Sequence, residues 1–252
     1  MNIVIFDTET IDLEKPFCYN VGYMILNIET GETVKKDFVV EQVWHNKMLF
    51  NTAYYKDKMP IYIARMRGRT TVMNKWGYIM QEMIRDFEYY EITQAYAYNC
   101  SFDERVFDFN CEWFKTANPF DNIEIYDIRG YVHQFIAFDI GFQMFCDTHE
   151  LYTESGNYST TAESVYRFVS GQVDFNEEHT ALADSEIESE ILLHCVKTYG
   201  AILGEHYKTY KNIPRLVDKV MNIVVDGEII DTITYKTKRV YDNKIIFHTQ
   251  GK

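Results

Sequence analysis

The apolar run Ile3-Val4-Ile5-Phe6 ends directly on Asp7-Thr8-Glu9. Residues 2–6 read as a buried strand, since a short unbroken run of β-branched and aromatic side chains suits a strand shielded from water. Side chains alternate across a strand, so Asp7 and Glu9 project from one face and can reach the same hard cation. Two carboxylates a few Å apart repel and raise each other's pKa unless a divalent ion or a proton lies between them. The strand end is therefore the start of a metal site that needs further ligands.

The rest of the chain alternates strands and helices. Residues 19–28 and 33–40 read as two more strands, joined through the turn Glu29-Thr30-Gly31-Glu32 into an antiparallel meander. Residues 41–72 have no clear period and carry Lys56, Lys58, Arg65, Arg67 and Arg69 among aromatics, so they read as an insertion with helical turns. Trp76, Ile79, Met80, Met83, Ile84 and Phe87 follow the stripe of an amphipathic helix. A strand is expected at 93–98, then a helix capped by Ser101 with Glu104 in the capping-box position. A strand at 123–127, a helix over 128–138, a loop at 147–160 and helices near 161–169 and 179–199 complete the pattern. Together these imply an α/β fold, a mixed sheet with helices on its faces. The main domain is placed at 1–205. Residues 206–252 read as an appendage of two β-hairpins turning at Asp226-Gly227 and Asp242-Asn243, locally basic with Lys208, Lys211, Arg215 and Lys219.

Composition narrows the chemistry. The net charge of -13 over 252 residues argues against a protein that coats nucleic acid non-specifically, because phosphate binding needs clustered Lys and Arg. It leaves room for an enzyme that grips phosphates through bound metal and a few basic side chains. Cys18, Cys100, Cys111, Cys146 and Cys195 form an odd set without a Cys-x-x-Cys, which fits free thiols in a reducing compartment. No apolar run approaches the ~20 residues of a membrane span. A cytoplasmic protein with no membrane contact is expected.

Two later clusters supply what Asp7 and Glu9 lack. Asn99-Cys100-Ser101-Phe102-Asp103 puts Asp103 in the first turn of a helix, and His179-Thr180-Ala181-Leu182-Ala183-Asp184 opens the last long helix. Residues five apart on a helix differ by about 140° and roughly 7.5 Å of rise, so His179 and Asp184 would flank a site rather than share one ion.

Asp7-x-Glu9, Asn99-x-x-Phe102-Asp103 and His179-x-x-x-x-Asp184, in this order over residues 1 to about 199, resemble the three motifs of the DEDD exonucleases in their DEDDh branch. That branch includes the proofreading subunit of bacterial DNA polymerase III, oligoribonuclease and ribonuclease T. The insertion and the Tyr- and Asn-rich composition look most like phage-encoded members, which would work in the host cytoplasm. The resemblance implies a ribonuclease H-like fold and metal-dependent 3′-to-5′ removal of nucleotides from single-stranded DNA or RNA with a free 3′ end. It implies that Asp7, Glu9, Asp103 and Asp184 hold two Mg²⁺ or Mn²⁺ ions and that His179 is the general base. Thr8, Thr10 and Ile11 would line the terminal-nucleotide pocket, with Asn99 and Phe102 as further substrate contacts. Here the chain reads Thr10-Ile11-Asp12-Leu13 in place of the commoner Thr-Gly-Leu. Arg65, Arg67 and Arg69 are expected as a phosphate clamp, and the appendage as the contact to a second copy or a replication-protein partner. Two other functions use the same fold: a non-catalytic binding subunit and an endonuclease.

Overall fold

The computed structural model describes residues 1–53, 56–225 and 228–238, with the backbone alone over most of 216–238. Six strands, β1 (Asn2–Thr10), β2 (Cys18–Asn27), β3 (Thr33–Val40), β4 (Val72–Asn74), β5 (Gln94–Ala97) and β6 (Glu124–Asp127), form one sheet. Their order is β4-β3-β2-β1-β5-β6. β2 pairs antiparallel with both β1 and β3, whereas β1 with β5, β5 with β6 and β3 with β4 are parallel. The mixed sheet between helices is the expected α/β class.

The strand β1 shows why helices cover both faces. Val4 and Phe6 point into a core shared with α4 (Trp76–Tyr89) and α5 (Ser101–Phe114), where Trp76, Ile79, Met83 and Phe107 are buried. Ile3 and Ile5 point the other way, into a core built by α6 (Ile128–Phe135), α7 (Ile140–Thr148), α8 (Ala162–Ser170) and α9 (Ala181–Tyr199). The period-2 alternation of one strand thus feeds two separate apolar layers.

Several boundaries differ from the sequence expectations. β1 runs through Thr10, so Asp7 and Glu9 lie inside the paired strand, in register with Gly22 and Asn20. Among the described residues, 41–72 hold three α-helices, α1 (Glu41–Trp44), α2 (Lys47–Phe50) and α3 (Met59–Gly68), with a 3₁₀ turn at Lys56–Lys58, and lead into β4, an edge strand that no period announces. Ser101 is the first helical residue of α5 rather than its cap; Cys100 stands at the cap position without a side-chain hydrogen bond. The helix expected over 128–138 stops at Phe135; α7, capped by Asp139 through Gly141 and Phe142, fills a stretch given no element in the sequence and runs two residues into the loop expected at 147–160. His179 precedes α9, whose N-cap is Thr180, so the helical spacing between His179 and Asp184 does not apply.

After α9 the chain stays on α6: Tyr210 donates its backbone N–H to His133 Nδ1, and Ile213 is buried and bridged to Tyr158. β7 (Leu216–Val225) and β8 (Glu228–Lys238) then pair antiparallel in a separate two-stranded sheet. The second expected hairpin, at Asp242-Asn243, lies outside the described residues. Among the described residues no helix is long and apolar enough to cross a membrane.

One glycine fixes how α9 meets the sheet. A Cβ on Gly22 would lie 2.1 Å from Leu182 N and 2.3 Å from the Ala181 carbonyl carbon. Only a bare Cα lets the first turn of α9 rest on β2 opposite Asp7. Gly22→Ala should cost about 2–3 kcal/mol or more, roughly 5–10 °C in Tm, since backbone rather than a flexible side chain must move. Gly68→Ala, with nothing within 4 Å of its added Cβ, is the neutral comparison in the same thermal melts. Equal Tm for the two variants would contradict this placement of α9.

Candidate metal centre

Three structural elements bring the acids together. β1 supplies Asp7 and Glu9, α9 supplies Asp184, and one carboxylate oxygen from each lies within 4.8 Å of the others. Asp103 approaches from the opposite side of the sheet in the first turn of α5, where its Oδ1 accepts a 2.6 Å hydrogen bond from Thr8 Oγ1. Thr8 points away from Asp7 and Glu9, as strand alternation requires, and this turns it into the holder of Asp103. Glu9 also accepts from the buried Tyr19 hydroxyl at 3.5 Å.

The placement of Asp184 rests on buried polar contacts around Asn20. Ala181 donates its backbone N–H to Asn20 Oδ1 at 2.8 Å, and the Tyr62 hydroxyl of α3 donates to the same oxygen at 3.0 Å. Asn20 Nδ2 in turn donates to Asp37 Oδ1 and to the Phe38 carbonyl. Thr71 donates to the other oxygen of Asp37. Each buried polar group here has a partner, which locks the start of α9 to β2 and β3.

Electrostatically the cluster is frustrated. Burial first, and then Asp103, Glu188, Asp184 and Glu9, hold the Asp7 carboxyl well above its usual range. Burial and Asp184 do the same to Glu9. Burial pushes Asp103 up to about 7 against the Thr8 hydrogen bonds, and Asp184 up to about 8 with Glu177 and Glu178 adding to it. Among the described residues none of these four acids forms an ion pair with Lys or Arg, and Asp184 Oδ1 is buried without a hydrogen-bond partner. Like charges in a dry site with an orphaned acceptor fit a divalent cation, the hard oxygen-seeking partner that would let all of them ionise.

Glu188 is the member that motif reading misses. It is buried, lies one turn beyond Asp184 on α9, and is held well above the ordinary range by burial and by Asp103 and Asp184. Its Oε2 accepts the Tyr98 backbone N–H at 3.2 Å. A spacing of four from Asp184 on one helix face is the signal that would find it.

The His179 side chain does not share a ligand group with Asp7, Glu9 and Asp184. Its backbone is left-handed at φ 54, its Nδ1 lies 3.6 Å from Glu177 Oε2, and it groups with Glu163 and Glu177. Its backbone N–H supports the Asp184 carboxylate. Burial and then Lys58 lower its pKa, so the imidazole is neutral near pH 7. The expected substrate residues are scattered. Ile11 is buried in the α4–α5 core, Thr10 donates to the Asp12 carbonyl, and Phe102 packs half-buried under Arg105. Asn99 is exposed in a left-handed conformation, its N–H donated to Asp127. Arg65 is engaged by Glu178 at 2.7 Å, by Thr180 and by Asp37, whereas Arg67 and Arg69 are exposed. The Arg65 contacts tie α3 to the third motif.

No family model and no curated protein sequence matches the chain. Among solved structures the chain is similar to E. coli Exonuclease I in complex with a dA16 oligonucleotide, at a TM-score of 0.47 and 13% sequence identity over 78% of this chain and 41% of that one. The chain spans less than half of that protein's length.

The raised carboxyls give a pH signature. A carboxyl whose folded pKa exceeds its unfolded value contributes stability that is full below the unfolded value, about 4, and is lost as pH rises through the folded value. In EDTA the Tm should therefore fall as pH rises through about 7 for Asp103 and about 8 for Asp184. Millimolar Mn²⁺ should remove most of that fall, and Asp184→Asn should flatten it. A Tm in EDTA that is level or rising across this window would contradict the frustrated cluster.

Proposed function

We propose that the chain is a metal-dependent 3′-to-5′ exonuclease that hydrolyses terminal phosphodiester bonds of single-stranded DNA or RNA and releases nucleoside 5′-monophosphates. The observation that carries this is the convergence of half-buried Asp7 with buried Glu9 and Asp184, and buried Asp103 beside them, with no ion pair to Lys or Arg among the described residues. These four acids would hold two Mg²⁺ or Mn²⁺ ions. Bound there, the ions would supply charge stabilisation for the attacking and leaving oxygens of an in-line displacement.

The chain's own groups do the remaining work. His179 is the general base: a neutral imidazole takes a proton from water at pH 7, and burial together with Lys58 keeps it neutral. Glu177, pushed up to about 7 by burial and by Glu163, faces its Nδ1 and can balance the charge that His179 gains. Thr8 fixes Asp103, and the Asn20 contacts fix Asp184, so the acids are held in place before substrate arrives. In this reading residues 206–252 are an appendage to the catalytic unit.

The test is mononucleotide release from a uniformly labelled single-stranded oligonucleotide with Mg²⁺ or Mn²⁺. EDTA and Asp7→Asn should each abolish release. His179→Ala should lower kcat by about 10²–10⁴-fold while leaving the Mn²⁺-induced rise in Tm intact. Undiminished release in EDTA, or internal cutting of circular single strands, would refute the exonuclease.

A further inference from the structure

A cavity with two cations in its wall lies at the same end of the sheet as the acids. It encloses about 310 Å³ and is lined by Tyr98, Asn99, Arg129, Thr160, Thr161 and Lys211 among others, with no Asp or Glu in its wall. In a chain of 38 acids and net charge -13, a wall with two cations and no carboxylate is a local reversal. Its volume is at the small end of the ~300–1,000 Å³ of ligand sites, enough for a nucleotide unit.

Its donors are uncommitted. Among the described residues the Arg129 guanidinium makes no ion pair, and its Nε is buried without a hydrogen-bond partner. Lys211 is exposed at the rim. Asp127 feels the Arg129 charge, but its Oδ1 accepts the backbone N–H groups of Asn99 and Arg129. The acceptors in the wall are largely spent: Tyr98 donates to the Thr160 carbonyl, and Thr160 Oγ1 bonds His133 Nε2. His133 Nδ1 accepts from Tyr210, so Nε2 carries the proton and Thr160 Oγ1 accepts it. Thr161 caps α8, whose first N–H groups and dipole add positive potential beside Ala162. An unpaired guanidinium, a lysine and a helix start around a small cavity suit an anion with several acceptor oxygens, above all a phosphate.

The position says which phosphate. Tyr98 and Asn99 follow β5 and Arg129 follows β6, while Asp7 and Glu9 lie near the same ends of the parallel sheet on β1. One or two strand spacings, roughly 5–10 Å, separate them along the edge. The Tyr98 N–H bonded to Glu188 joins the two walls. We propose that this cavity holds a backbone phosphate of the single strand whose 3′ end lies at the acid cluster. This assignment rests on the exonuclease reading for the direction of the strand. Arg129 and Lys211 would then offset, one nucleotide or a few upstream, the repulsion that the acidic surface imposes on the chain's own substrate.

The test is equilibrium binding of a 5′-fluorescein-labelled single-stranded 12-mer in EDTA, by anisotropy over a range of salt, for wild type, Arg129→Gln and Lys211→Glu. Lys211→Glu changes an exposed rim residue and so guards against misfolding of the Arg129 variant. Each variant should bind about tenfold or more weakly, and Arg129→Gln should lower the slope of log Kd against log salt by about 0.7, the value for one phosphate contact on a single strand. Unchanged affinity in both variants, while wild type still releases mononucleotides, would overturn the cavity and leave the exonuclease standing. Weakened binding in the variants with no nuclease activity in wild type would keep the strand-phosphate site and reject the nuclease. Competition by inorganic phosphate, lost in Arg129→Gln without any change in 12-mer affinity, would assign the cavity to a free phosphate and overturn the proposal.

Discussion

Mutual repulsion among Asp7, Glu9, Asp103, Asp184 and Glu188 is the constraint around which this molecule is built. Buried carboxylates without basic partners cost free energy when ionised, so a fold that keeps them together must pin each one from outside the cluster. The pins are neutral. Thr8 holds Asp103, the His179 backbone supports Asp184, Tyr98 N–H holds Glu188, and Asn20 fixes the helix that carries two of the five. Lys or Arg in those positions would satisfy the acids and fill the place of a cation.

The same logic gives the insertion a structural task. Tyr62 and Arg65 of α3 reach the start of α9 through Asn20, Thr180 and Glu178, so helices absent from the core pattern brace the third motif. Gly22 admits α9 to the sheet, and the α3 contacts keep it there. Beside this centre, the cavity at the neighbouring strand ends places Arg129 and Lys211 in a wall without a carboxylate.

Much of this is legible in the sequence where a period or a motif records it. The β1 alternation, the α4 stripe and the order of the three acidic motifs are local patterns, and each element that they imply is present. What the sequence conceals is set by tertiary contact. β4 exists because β3 offers an edge, Cys100 caps α5 without a side-chain bond, and His179 adopts a left-handed backbone that no residue type announces. Arg65 illustrates the limit. As sequence it is one of a basic run that could clamp phosphate, whereas in the fold Glu178 and Asp37 occupy it. Arg129, isolated in sequence, lines a cavity with its Nε buried and without a hydrogen-bond partner.

Without a cation, the raised carboxyls of the acid cluster hold protons in its place. Calorimetric titration of Mn²⁺ or Mg²⁺ into the metal-free protein near pH 7, in two buffers of different ionisation enthalpy, counts the protons that binding displaces. Carboxyls held at about 7 and about 8 require release of about one proton or more per chain. Binding with no proton release, or no binding at all, would contradict it.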